Sequence, residues 1–136
     1  MADLTVTASV VARAHDNAEI YNGIAAETIT AGQVVYLTSS GAYGVASANV
    51  AGKQQARGVA LGGAAAGQAF SFIKRGFVSG FTISQAYDTK LFVSNTLGAI
   101  ADAAGTLSVP AGRVMPMADA SLTKVAFVDF AWETQF

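Results

Sequence analysis

The chain has no cysteine, one histidine, two prolines and few charges; charged residues fill 12% of its 136 positions, about half the share of an ordinary soluble protein. Each shortage excludes something. Without thiols there is no disulfide framework and no thiolate metal site, and the compartment is left open. With His15 as the only imidazole, a histidine metal site lacks ligands, and no D-x-D run suggests a calcium loop. A Ser–His–Asp arrangement would want a G-x-S-x-G elbow, and Gly76-Phe77-Val78-Ser79-Gly80 does not have that spacing. His15 in its polar loop therefore reads as a surface residue.

The net charge of −1 leaves no electrostatic footprint for nucleic acid, and Lys74-Arg75 is the only adjacent basic pair. No stretch is apolar enough for a transmembrane helix; the Gly/Ala-rich run 58–72 is only weakly so. The N-terminus carries Asp3 and alternating threonines in place of a basic head and an apolar run, so the expectation is no signal peptide and no export.

Small and apolar residues are what the chain does have. Apolar residues make up 52%, with eight Phe, four Tyr and one Trp beside many Ala and Gly. A charge-poor surface of small residues suits close packing against a partner, because little polar hydration must be removed. The length is that of one domain with a single sizeable core.

Leu4 to Val10 alternates apolar and polar residues, with Leu4, Val6, Ala8 and Val10 on one face, which predicts a half-buried strand or an extended arm. Arg13 to Asn17 reads as a polar loop, and Asn22-Gly23 is the strongest short turn signal. Ile29 to Leu37 follows, an Ala31-Gly32-Gln33 turn running into apolar residues on both faces, as for a sheet packed on two sides. Ala66-Gly67-Gln68 and Ala111-Gly112-Arg113 repeat that turn-then-strand form at uneven spacing, too irregular for a solenoid. The segment Ala48 to Arg57 is the one candidate for a short helix, weakened by Gly52. Further strands are expected over 42–46, 57–61, 68–74, 76–83 and 90–94. Pro110 and Pro116 bracket Arg113 to Met115 and predict an edge strand. Lys124 to Trp132 closes the series. About ten short strands with frequent turns predict an all-β class, a single small barrel or sandwich, with residues 1–22 as an N-terminal arm or edge strand and 23–136 as the domain.

Chemistry is sparse. Gly62 to Gly67 has the outer glycines of a phosphate loop, but Gln68-Ala69 stands where Lys and Ser or Thr are required. The nearest carboxylate pairs, Asp16 with Glu19 and Asp129 with Glu133, read as solvated loop and strand-end groups. The expectation is no enzyme, no cofactor and no metal. Association surfaces remain: Trp132 and Phe136 either cap the core or anchor an interface, and Leu4, Val6, Val10 and Arg13 lie on a segment able to add as a strand to another protein. Exposed Tyr43, Tyr87 and Trp132 would instead suit a carbohydrate-binding module.

The run Gly23-Ile24-Ala25-Ala26-Glu27-Thr28-Ile29-Thr30-Ala31-Gly32-Gln33-Val34-Val35-Tyr36-Leu37 resembles the opening of tailed-bacteriophage head decoration, or capsid cement, proteins. Arg57 to Leu61, Ala64 to Gln68, Arg75 to Val78 and Leu91 to Ile100 continue the resemblance in the same order. The resemblance implies a small β-domain, often a homotrimer, that binds the capsid exterior where major capsid proteins meet and resists the pressure of packaged DNA. It implies the major capsid protein as partner, no nucleic acid or membrane, no catalytic residues, and synthesis in the host cytoplasm. Leu4, Val6, Val10, Arg13, Trp132 and Phe136 are then the candidate capsid or subunit contacts. Other virion components, such as a tail-tube or spike domain, share such patterns.

Overall fold

A computed structural model describes residues 2–117 and 120–132. The protein is all-β. In chain order the strands are β1 (Thr5–Val6), β2 (Ala12–Arg13), β3 (Glu19–Ile24), β4 (Val34–Leu37), β5 (Tyr43–Val45), β6 (Ala56–Ala60), β7 (Ala69–Ser79), β8 (Phe81–Thr82), β9 (Lys90–Val93), β10 (Ile100–Ala101), β11 (Pro110–Pro116) and β12 (Lys124–Asp129). One 3-10 turn, Ala8–Val10, is the only helical element among the described residues. Ten strands form one curled antiparallel sheet, a half-barrel in the order β10-β9-β11-β12-β7-β6-β4-β5, with β2 and β3 also on β7; β1 and β8 form a separate pair.

The sheet turns about β7, the longest strand at 11 residues. Its first half pairs with β6 and β3, its second half with β12 and β2. Because successive side chains alternate, β7 sends Ile73 into one core and Phe70 and Phe72 into another. The larger core is aliphatic, built around Val34, Val59, Ile73, Leu91, Val93, Val109, Val114 and Val128, with Phe130 fully buried. The smaller one holds Ala25, Ile29, Val35, Val45, Ala60, Ala64, Phe70 and Phe72. Neighbouring residues Val34 and Val35 are both fully buried, one in each core, as two-sided packing of this strand requires. The turns at Gly32 and Gly67 have φ of +91° and +86°, where a side chain would be strained.

Several expectations give way. Residues 48–57 form successive turns, with no helix: Gly52 takes φ +93°, and Gln54 Oε1 accepts the Gly52 N–H, competing with helical bonding. Asn22-Gly23 is no turn but lies inside β3. Gly23 is needed because the Tyr43 ring occupies the space its Cβ would take. Gly112 is likewise inside β11, where a Cβ would collide with the Phe127 carbonyl. The proline-bracketed strand is not at the edge; β11 lies between β9 and β12. Its prolines are the terminal residues, with a register shift beside Pro110, so the missing N–H groups fall at the ends of the ladder. Residues 68–83 do not form two equal strands; β7 runs through Gly76 to Ser79, and only Phe81–Thr82 is separate.

Candidate functional site

The N-terminal candidates lie along a strap fastened to the sheet. The Leu4 N–H donates to Ile100 O at 2.8 Å, Asp102 N–H to Ala2 O at 3.0 Å and Thr7 N–H to Gly80 O at 2.8 Å. Leu4 itself is buried in the aliphatic core, beside Val11 from the far end of the strap. Its apolar side chain therefore serves this chain's own interior and is not presented outward. Val6 packs over Gly32, whose missing Cβ makes the room. Val10 is the most exposed of the set at 58%, and Arg13 is exposed on β2. Ser94 Oγ donates to Asp3 Oδ1 at 2.5 Å. The Asp102 carboxylate accepts the Ala2 N–H at 2.8 Å and Gln85 Nε2 at 3.1 Å. Those bonds, the backbone one foremost, hold its pKa below the ordinary aspartate value.

Trp132 is half-buried against the aromatic core. Its Nε1 donates to Arg57 O at 2.8 Å, its ring lies 5.1 Å from Tyr21, and Lys74 Nζ sits 5.3 Å above it. It closes the chain's own core, as one of the two options for a terminal aromatic. Phe136 and Glu133 lie outside the described residues. Of the other exposed-aromatic candidates, Tyr43 packs edge-on to Phe70 with centroids 5.8 Å apart. Tyr87 is half exposed, with its hydroxyl donating to Leu122 O and Lys124 Nζ over its ring. The three rings occupy separate places and form no common platform for a sugar.

The outer face of β7 and β12 holds an open cleft of about 400 Å³ lined by Asn17, Ala18, Glu19, Arg75, Phe77 and Phe127. Phe77 and Phe127 are cross-strand partners with centroids 5.1 Å apart, and His15 lies 5.8 Å from Phe77. The carboxylates nearby are matched to cations: Glu19 to Lys74 at 3.4 Å and Asp129 to Arg75 at 3.7 Å. Such a surface offers aromatic contact and paired charge, but no carboxylate couple facing across a gap. Among the described residues no group of three or more His, Asp or Glu could hold a metal.

Two features escaped the sequence reading. Arg57 is the extra residue of a bulge in β6, and its buried Nη1 has no hydrogen-bond partner. No local signal marks a bulge of this kind. The other is β3, an exposed strand along one side of β7; its Asn-Gly pair disguised it as a turn. No protein-family model, no curated protein and no solved structure matches the chain.

Proposed function

We propose that this chain is a virion structural protein that binds the outer surface of a tailed-phage capsid and bridges neighbouring major capsid proteins. The observation that carries the reading is the ordered series of turn-and-strand motifs between Gly23 and Ile100 that resembles head decoration proteins. The all-β domain is compatible with it, since one curled sheet with a core on each side resists deformation along the strands. A charge-poor surface also sheds little hydration on contact. A cement protein does its work by adding contacts that span subunit boundaries, so that outward pressure must break them before the shell can open. Its place is the capsid exterior.

Within this reading the outward groups on the N-terminal strap, Val10 and Arg13 with partly exposed Val6, are the capsid contacts. Leu4 and Trp132 act indirectly, by fixing the strap and the end of β12. The test is co-sedimentation of the purified protein with expanded, undecorated heads. Saturable binding is expected, weakened in a Val10→Asp, Arg13→Glu double variant that melts like the parent. Failure of the unaltered protein to bind its cognate heads overturns the reading.

A further inference from the structure

A backbone donor or acceptor on a sheet edge needs a partner, and this chain supplies one at both ends of its large sheet. Along β10, residues 2–4 take up the edge through Leu4 N–H to Ile100 O and Asp102 N–H to Ala2 O. Along β5, Ala26 N–H donates to Tyr43 O, and the Glu27 carboxylate accepts the Val45 N–H. Strand β3 is different. It pairs with β7 on one side only, and no backbone or side-chain hydrogen bond reaches the main chain of residues 19–24 from the other side among the described residues.

The register says which groups face outward. Ala25 N–H donates to Gln68 O, so that pair is hydrogen-bonded; alternation makes Gly23–Phe70 and Tyr21–Phe72 hydrogen-bonded too. Ser71 O, opposite Asn22, turns away to accept the Leu61 N–H, in agreement. The N–H and C=O groups of Ile20, Asn22 and Ile24 therefore point away from β7. Ordinary protection of such an edge is missing: β3 has no proline, its one charge is Glu19 at the end, and the register shift lies at Glu19/Ile20, leaving 20–24 regular. Ile20, Tyr21 and Ile24 are 37%, 42% and 47% exposed.

We propose that β3 pairs antiparallel with β3 of a second copy of this chain about a two-fold axis at Asn22. The argument for a second copy is self-complementarity. With Asn22 opposite Asn22, each outward Ile20 meets an outward Ile24, so the three residues whose main chains are unpaired satisfy one another in a single register. Apolar Ile20–Ile24 cross-strand pairs then form twice, and Tyr21 lies opposite the small Gly23. The other exposed edge of comparable direction, β2, is two residues long and carries Arg13, so a head-to-tail match has no equivalent strand to use. This two-fold pairing does not rest on the capsid reading, and it departs from the three-fold association that the resemblance implies.

The test is the mass of the purified full chain by sedimentation equilibrium and light scattering at micromolar concentration. Twice 13.8 kDa is expected. Asn22→Pro removes an outward N–H and leaves the β7 ladder its donors, so it should give a monomer. An Ile24→Lys variant, which places a charge on the edge without altering the backbone, guards against misfolding of the proline form and should raise the dimer dissociation constant at least about tenfold. Because the chain has no cysteine, Asn22→Cys should give one disulfide-linked dimer on oxidation, as opposed residues across such an axis lie at bridging distance. A monomeric or trimeric parent, or dimerisation unchanged in folded Ile24→Lys, overturns the proposal. So does binding to capsid proteins through this edge by a parent that is monomeric alone. Loss of head binding with the dimer intact would refute the capsid reading and leave this one standing.

Discussion

Leu4 and Trp132 stand near opposite ends of the chain and are held by different means. Leu4 is a small aliphatic peg, buried among valines and alanines, and the backbone on either side of it is hydrogen-bonded to β10. Trp132 is only half-buried; a single indole hydrogen bond to Arg57 O, ring contacts with Tyr21 and Phe72, and the Lys74 ammonium position it. The difference shows two ways of fastening a terminus. An aliphatic anchor needs a place already vacant in the core and a backbone ladder to deliver it there. An amphipathic aromatic can rest across the core's margin, because its N–H finds a carbonyl while its face covers apolar atoms.

The sharpest break in that comparison is removal of residues 1–13. It takes Leu4 and Val11 out of the aliphatic core and leaves β10 with an unpaired edge, so the cooperative thermal transition should be lost. A truncated domain that melts like the full chain would mean that the strap is dispensable for folding. Leu4→Ala comes next, with a loss of about 2–5 kcal/mol for a buried leucine, read from denaturant unfolding. Trp132→Phe keeps most of the ring and removes the indole donor, for a cost of about 1 kcal/mol. If Trp132→Phe destabilised more than Leu4→Ala, the ranking of the two anchors would be reversed.

The smallest effect concerns Asp102. The fold favours its ionised form through the Ala2 N–H and Gln85, so its folded pKa lies below the ordinary value. Its contribution is complete at neutral pH and is lost only as acid titrates the folded carboxyl. The group is solvent-accessible, so the change is slight. Asp102→Asn should show a slightly smaller fall in Tm between neutral and acid pH than the parent. Identical falls would show that the carboxylate is not coupled to the strap.

Much of the architecture was legible in the chain. The turns at Gly32, Gly41 and Gly67 and the strands that follow announce themselves by small residues giving way to Val, Tyr and Phe, and apolar content on both faces of Val34-Val35 marks two-sided packing. Three other glycines show where reading stops. Gly32 and Gly67 are glycine because φ is positive, whereas Gly112 and Gly23 are glycine because a carbonyl or a ring lies against the backbone. The letter is the same, and only the neighbour, distant in sequence, separates the two causes. Arg57 is invisible for a similar reason: a bulge depends on the register of β4 against β6.

For the strap, periodicity placed Leu4, Val6, Ala8 and Val10 on one face, yet Leu4 is buried and Val10 exposed, because the 3-10 turn at Ala8–Val10 breaks the alternation. What the amino-acid sequence determined by itself is local: the β class, the punctuation by glycine, and the poverty of ionisable groups, each a property of neighbouring residues or of totals. Which edges are covered, which apolar residues are anchors, and that β3 is a strand with one side open were decided by the tertiary structure. Those outcomes depend on hydrogen bonds and packing between segments up to about a hundred residues apart, such as Ala2 with Asp102, and such contacts leave no trace in local composition.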